Sequence, residues 1–333
     1  MTPRQAIERL VGGDVELRYV RAMETSRSRV NAGFDDAVAA ARASDVAIVF
    51  LGEEAILSGE AHSRADIGLP GDQAELVRRL SETGTPLVGV VMAGRPLTLT
   101  DVVDRLDALM FAWHPGTMGG PALADLLFGN ESPSGKLPVT FPRMVGQVPI
   151  YHSQKNTGKP PTPDTVVHID DIDAHAPQTS LGMTAFHLDA GYRPLFPFGF
   201  GLGYSELHYH DIRASEAELV PGGTLKISVK LSNRGDMPVE EVVQLYLRDL
   251  VGSVTRPLRE LKGFKRLRVG PVETITVEFE VHADDLAFCG RNMRVGAEPG
   301  EFHAWIGGDS DAQLGVSFRL LGEEHNSRRT EED

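Results

Sequence analysis

The sequence predicts an α/β domain with a mostly parallel sheet, followed by an all-β antiparallel sandwich. Three observations predict this order. Up to about residue 148, short apolar runs alternate with amphipathic segments. From residue 207 the apolar residues recur with a period of two, between turns rich in Gly, Pro, Asn and Asp. The length of 333 residues also exceeds what one compact domain usually needs.

The α/β domain is predicted over residues 1–148. Its strands are expected at 15–20, 46–52, 86–94 and 106–114, and its helices at 34–44, 71–84 and 119–129. The run VAIVFLG at 46–52 is apolar throughout, which is typical of a strand covered on both faces. Strands and helices that alternate at this spacing predict parallel strands joined by crossovers.

The rest of the chain divides into three predicted parts. Residues 149–206 lack periodicity and end in the aromatic, glycine-rich stretch RPLFPFGFGLGY, so we predict a linker and interdomain segment. Residues 207–321 are predicted to form the antiparallel sandwich, with strands at 225–233, 242–249, 274–281 and 300–308. Residues 322–333 are predicted to form a charged, disordered tail.

Composition excludes several classes of function. The formal net charge of −14 argues against nucleic-acid binding, which needs a clustered excess of Lys and Arg. The single cysteine, Cys289, excludes an internal disulfide and has no second ligand at the spacing of a zinc site. The histidines and glycine pairs match no metal or phosphate motif. We therefore expect a soluble chain without signal peptide, membrane span, metal or cofactor.

Three loops follow predicted strands: 52–64, 93–96 and 114–116. Because functional residues in parallel sheets gather beyond the carboxyl ends of the strands, we expect all three loops along one sheet edge. The first loop combines Glu53 and Glu60 with Arg64, and such a group can hold one carboxylate ionised and another protonated. On this pattern alone, an ordinary charged surface loop remains the favoured interpretation.

Longer motifs favour a catalytic interpretation of this loop over a charged surface loop. The runs VAIVFLGEEAILSGEAHSRADIGLPGDQAELV, AWHPGTMGGPALADLLFGNESPSGKLPVTFPR and LFPFGFGLGYSEL resemble family 3 glycoside hydrolases of the bacterial β-glucosidase type. The resemblance implies the order of a (β/α)8 barrel, an α/β sandwich domain and a fibronectin type III-like domain. This chain is similar to the second and third of these domains, without the barrel and without the first strand of the α/β sandwich domain.

The resemblance also implies roles for individual residues. Ser58-Gly59-Glu60 followed by Arg64 matches the family's acid/base loop, so Glu60 is the implied general acid/base and Arg64 the residue that organises the carboxylates. Glu53 is the alternative acid/base. His114 and Arg95 are weaker, substrate-binding candidates. The family's nucleophile is an aspartate before a tryptophan on the barrel, whereas both tryptophans here follow alanine.

Two hypotheses remain open from the sequence. The chain is the C-terminal part of a retaining β-glucosidase-like enzyme that supplies the acid/base glutamate, is inactive alone, and acts on β-linked glycosides once a barrel, carried by a partner chain, completes it. Alternatively, it is a non-catalytic accessory module that binds carbohydrate or protein. Full-length relatives are often periplasmic or secreted, and neither hypothesis fixes the sugar.

Overall fold

A computed structural model describes residues 1–322, so the predicted tail falls outside the described residues except for Gly322. The chain forms two compact units. The first comprises residues 1–131 and 141–148, and the second comprises 132–140 and the chain from 149 onward. Within the described residues, no helix has both the length and the apolar character that a membrane crossing requires.

The first unit is built on a parallel sheet of three strands in the order β1-β2-β3. The strands are β1 (Ala47–Gly52), β2 (Leu87–Met92) and β3 (Ala108–Phe111). The helices are α1 (Pro3–Val11), α2 (Phe34–Arg42), α3 (Gln73–Ser81), α4 (Thr100–Val103) and α5 (Gly119–Leu127). The predicted parallel α/β pattern is confirmed, with shorter strands and helices than the sequence suggested.

The prediction of a strand at residues 15–20 is wrong. Val15, Leu17 and Tyr19 are 44–60% exposed, and no strand of the described chain pairs with this stretch. The alternating pattern gives the stretch strand propensity, but a strand also needs a neighbour that accepts its backbone hydrogen bonds. The three loops therefore follow the first, second and third strands, and not the second to fourth. Helix α1, which the sequence analysis missed, packs Ala6 and Ile7 on Ala124 of α5.

The second unit contains an antiparallel sandwich. Its strands are β4 (Leu207–Ala214), β5 (Glu218–Leu219), β6 (Thr224–Asn233), β7 (Val239–Asp249), β8 (Glu260–Val269), β9 (Thr274–His282), β10 (Phe288–Cys289), β11 (Val295–Gly296), β12 (Gly300–Gly307) and β13 (Gly315–Leu320). The two main sheets have the orders β5-β13-β12-β7-β8 and β4-β6-β9. The predicted period of two is confirmed in β6, where Leu225, Ile227, Val229 and Leu231 are at most 1% exposed.

The aromatic stretch before the sandwich belongs to the second unit. Phe196 and Phe200 stack with ring centroids 5.1 Å apart. Leu137 pairs with this stretch, since its amide donates to the Phe200 carbonyl at 2.9 Å. Lys136 donates to the Gly201 carbonyl at 2.7 Å and forms an ion pair with the buried Glu241 at 3.0 Å. Residues 132–140 are thereby bound to β7 and to the aromatic stretch.

His152 gives the second unit a pH dependence. Its ring stacks on Phe198 at 4.4 Å, and burial lowers the pKa of His152 below its usual 6.5. The folded state therefore favours the neutral ring, so the unfolding free energy of this unit should fall as the pH drops below about 6.5. Amide hydrogen exchange of β6 and β7 measures this loss. His152→Phe should remove this part of the pH dependence, whereas His175→Phe, at an exposed position, should retain it.

Candidate active site

The loop after β1 begins at a tightly held strand end. Gly52 has φ +128°, and a Cβ atom there would overlap the carbonyl group of Met92 on β2. Its neighbour Gln73, at the start of α3, is 3% exposed. The Gln73 amide accepts a hydrogen bond from the Gly52 amide at 2.7 Å and donates to the Gly52 carbonyl at 2.8 Å. It also donates to the carbonyls of Ser26 and Pro70, so one side chain joins four backbone groups.

Glu53 follows immediately and carries a fully buried carboxylate. Its side chain is 0% exposed and lies between the guanidinium groups of Arg64 and Arg95. Arg64 Nη1 donates to Oε1 at 2.6 Å, and Arg95 Nε donates to Oε2 at 2.9 Å. Each oxygen of the Glu53 carboxylate therefore accepts a charge-assisted hydrogen bond from a different guanidinium group.

The same two arginines bind the backbone of the loop. Arg64 donates to the carbonyl of Gly68 at 3.0 Å. Arg95 donates to the carbonyls of Leu57 and, at 3.1 Å, His62. The buried carboxylate therefore fixes two arginines, and these in turn fix the loop between residues 57 and 68. Arg95 holds the loop at least as firmly as Arg64 does, although the sequence analysis ranked it lower.

Glu60 lies at the tip of this loop and is exposed. The tip is a tight turn, in which the amide of His62 donates to the carbonyl of Gly59 at 3.2 Å and Ala61 has φ 64°. Among residues 1–322, no group forms a hydrogen bond or ion pair with the Glu60 carboxylate. An exposed carboxylate on a loop that two arginines hold in place is accessible to a ligand and can exchange a proton with it.

The ends of the other two strands approach the same loop. A Cβ atom on Gly94 would overlap both Ser58 Oγ and His114 Nε2, so both side chains lie close against Gly94. His114 is exposed, and the preceding Trp113 has φ 52°. The Trp113 ring packs edge-on against Phe111 at 4.7 Å and Phe141 at 5.9 Å, which stabilises this unusual backbone. The predicted convergence of the three loops at one sheet edge is confirmed by these contacts.

The sequence analysis missed Gln73 as part of this site, and it named Ser58 only as a member of the Ser58-Gly59-Glu60 motif. Gln73 begins a helix nine residues after Arg64, and nothing in its local sequence pattern indicates four backbone contacts. Glu54, the third glutamate of the loop, accepts a hydrogen bond from Arg27 at 2.7 Å. Within the part of the chain that the structure describes, no group of three or more His, Cys, Asp or Glu side chains is arranged to hold a metal ion.

Comparison with known families identifies the domains of this fold. Residues 1–204 match the glycosyl hydrolase family 3 C-terminal domain. The chain belongs to glycoside hydrolase family 3. Residues 241–310 match the fibronectin type III-like domain. Both the resemblance and the fold class predicted from the sequence, an α/β sandwich domain followed by a fibronectin type III-like β-sandwich, are confirmed.

Relatives in family 3 include named glycosidases. The chain is 38% identical over 303 residues to the periplasmic beta-glucosidase of Salmonella typhimurium, covering 91% of this chain and 38% of the relative. It is 34% identical to a beta-xylosidase of Formosa agariphila, covering 92% of this chain and 39% of the relative. The Listeria innocua beta-glucosidase in complex with isofagomine superposes with a TM-score of 0.84 at 31% identity, covering 97% of this chain and 42% of that one.

The family 3 relatives are much longer than the region they share with this chain. The chain spans about two fifths of the length of the Salmonella, Formosa and Listeria proteins. The family and the domain type are therefore established for this chain. Its catalytic activity, substrate and partners are treated as proposals.

Proposed function

We propose that this chain supplies Glu60 as the general acid/base of a retaining β-glycosidase active site that residues outside the chain complete. The observation that carries this proposal is the contrast between Glu60 and Glu53. Glu60 is exposed and has no partner among the described residues, whereas Glu53 is buried with both oxygens bound by arginines. Of the two glutamates, Glu60 is the one that can reach a substrate.

The proposed chemistry uses Glu60 twice. In the first step its carboxyl group protonates the glycosidic oxygen as the bond to the sugar breaks. In the second step the resulting carboxylate removes a proton from water, which then hydrolyses the covalent glycosyl intermediate. Glu53 acts as a positioning residue, because it holds Arg64 and Arg95, which hold the loop that carries Glu60.

The nucleophile must come from elsewhere in this proposal. A retaining glycosidase needs a second carboxylate about 5 Å from the acid/base. The other glutamates of the loop are already engaged, Glu53 by two arginines and Glu54 by Arg27. We infer that a barrel domain supplies the nucleophile, either on the same polypeptide or on a partner chain. The substrate class is then a β-linked glucoside or xyloside, as the names of the relatives suggest.

An activity assay tests whether the acid/base comes from this chain and the nucleophile from outside it. We expect residues 1–333 alone not to hydrolyse 4-nitrophenyl β-glucoside or β-xyloside. A chimera that joins them to the part of the Salmonella enzyme they do not match should hydrolyse one of these substrates, while that part alone should not. Turnover by the isolated chain would contradict the proposal. A folded but inactive chimera, together with retention of the isolated chain on a β-glucan, would favour the accessory-module alternative.

A further inference from the structure

Gly94 leaves a small polar notch at the sheet edge, between two side chains. Both Ser58 Oγ and His114 Nε2 stand within 2.7 Å of the position that a Cβ atom on Gly94 would take. The two atoms are therefore no more than about 5 Å apart, a distance that one oxygen atom can bridge with two hydrogen bonds. Gly94 does not have a positive φ, so its backbone does not require glycine. What the glycine provides is the space between the two side chains, which we call the Gly94 notch.

The two polar atoms of the notch are accessible and available for a ligand. Among residues 1–322, neither Ser58 Oγ nor His114 Nε2 forms a hydrogen bond with another group. Gly94 and His114 are exposed and Ser58 is half-buried, so a ligand can reach both atoms. A serine hydroxyl donates and accepts hydrogen bonds, and the Nε2 atom of a neutral imidazole does one or the other according to its tautomer. The pair therefore suits a hydroxyl group, which donates to one partner while it accepts from the other.

The backbone holds both side chains in place. The amide of Ser58 donates to the carbonyl of Ala55 at 3.1 Å. His114 lies between Trp113, whose φ of 52° is stabilised by its aromatic neighbours, and Pro115, whose ring fixes its own φ. A positive φ is uncommon outside glycine, and backbone strain of this kind is concentrated at ligand-binding sites. The notch is thus prepared before any ligand arrives, which lowers the cost of binding.

We propose that the Gly94 notch binds a hydroxyl group of the leaving-group sugar, so that Ser58 and His114 make the enzyme prefer saccharide leaving groups. This inference rests on the proposed function. Ser58 lies two residues before Glu60, which in that function protonates the oxygen of the leaving group. The nucleophile, and with it the sugar that it attacks, belongs to polypeptide outside this chain. The leaving group therefore faces the sheet edge that carries the Gly94 notch.

A comparison of two leaving groups tests the proposal in the Salmonella chimera. Cellobiose and 4-nitrophenyl β-glucoside share the glucose that is attacked, but only cellobiose carries hydroxyl groups on its leaving group. The measured quantity is the ratio of kcat/KM for cellobiose to kcat/KM for 4-nitrophenyl β-glucoside. We expect His114→Phe and Ser58→Ala each to lower this ratio by at least about fivefold, because each removes one hydrogen bond to the hydroxyl.

Two further variants make the comparison specific. The double variant, with both His114→Phe and Ser58→Ala, should lower the ratio by less than the product of the two single effects, because both hydrogen bonds go to one hydroxyl. Thr117→Ala is the matched control, since Thr117 is exposed and follows His114 by three residues. It should leave the ratio unchanged.

Three other results would overturn the proposal. An unchanged ratio in both single variants would do so while leaving the proposed function intact, because cleavage of the nitrophenyl substrate reports on Glu60 separately. Equal losses with both substrates would assign Ser58 and His114 to the attacked sugar or to support of the loop, and not to the leaving group. A chimera that cleaves neither substrate would contradict the proposed function itself, and this inference with it.

Discussion

Replacing Glu60 with glutamine lowers kcat/KM of the Salmonella chimera for 4-nitrophenyl β-glucoside by about 10²–10⁴-fold. Glutamine keeps the size and polarity of the side chain but cannot exchange the proton that the leaving oxygen requires. The substitution should not disturb folding, because Glu60 lies at the exposed tip of the loop and forms no hydrogen bond or ion pair with another described side chain. A loss of activity would therefore reflect the lost proton exchange and not a folding defect. Steady-state kinetics together with an unchanged unfolding transition check this expectation.

The leaving group sharpens this prediction. With 2,4-dinitrophenyl β-glucoside the leaving oxygen needs no proton, so bond cleavage by Glu60→Gln should be affected far less than with the 4-nitrophenyl substrate. The matched control is Glu54→Gln on the same loop, which should change kcat/KM by less than about threefold because its carboxylate is bound to Arg27. Equal losses for Glu60→Gln with both leaving groups would show that its role is not proton donation.

Glu53→Gln destabilises the first unit of the isolated chain by about 3–5 kcal/mol. The substitution leaves Arg64 and Arg95, whose side chains are 19% and 17% exposed, facing each other without the carboxylate that neutralises them. It also loosens both arginines from the loop backbone that they bind. Trp113 lies in the first unit and Trp305 in the second. Denaturant unfolding followed by Trp113 fluorescence in a Trp305→Phe background therefore measures this unit.

A partly exposed ion pair provides the comparison. Arg27 and Glu54, with side chains 54% and 30% exposed, form a single contact at 2.7 Å in the same unit. Glu54→Gln should cost at most about 1 kcal/mol, because solvent screens the pair. If Glu53→Gln and Glu54→Gln shifted the unfolding midpoint equally, Glu53 would not anchor the loop, and its proposed positioning role would fail.

Much of the fold was predictable because the hydrophobic pattern of most strands is unambiguous within the strand itself. VAIVFLG and PLVGVVMAG are continuous apolar runs, which predict strands covered on both faces. The β6 sequence LKISVKLSN alternates strictly, which predicts a strand with one buried face. VELRYV carries the same kind of signal but forms no strand, because pairing depends on a neighbour that local sequence does not reveal. Domain boundaries at residues 148, 206 and 321 stay predictions.

The candidate site was less predictable. The motif around Glu60 and Arg64 identified the loop through its resemblance to a family, but the sequence left Glu53 as an alternative acid/base. Burial and the two guanidinium contacts distinguish Glu53 from Glu60. The Arg95 contact spans 42 residues and the Gln73 contact with Gly52 spans 21, so both depend on how β1, β2 and α3 pack. Such contacts leave no pattern in the local sequence.

Azide rescue tests most directly the claim that Glu60, and not Glu53, is the proton donor. In a Glu60→Ala chimera supplied with 2,4-dinitrophenyl β-glucoside, the glycosyl intermediate should accumulate, because no base activates water. Azide needs no such base and fits the space left by the carboxylate, so it should accelerate turnover and yield β-glucosyl azide. The account predicts this product from Glu60→Ala and not from Glu53→Ala. Formation of β-glucosyl azide by Glu53→Ala, with none from Glu60→Ala, would contradict it.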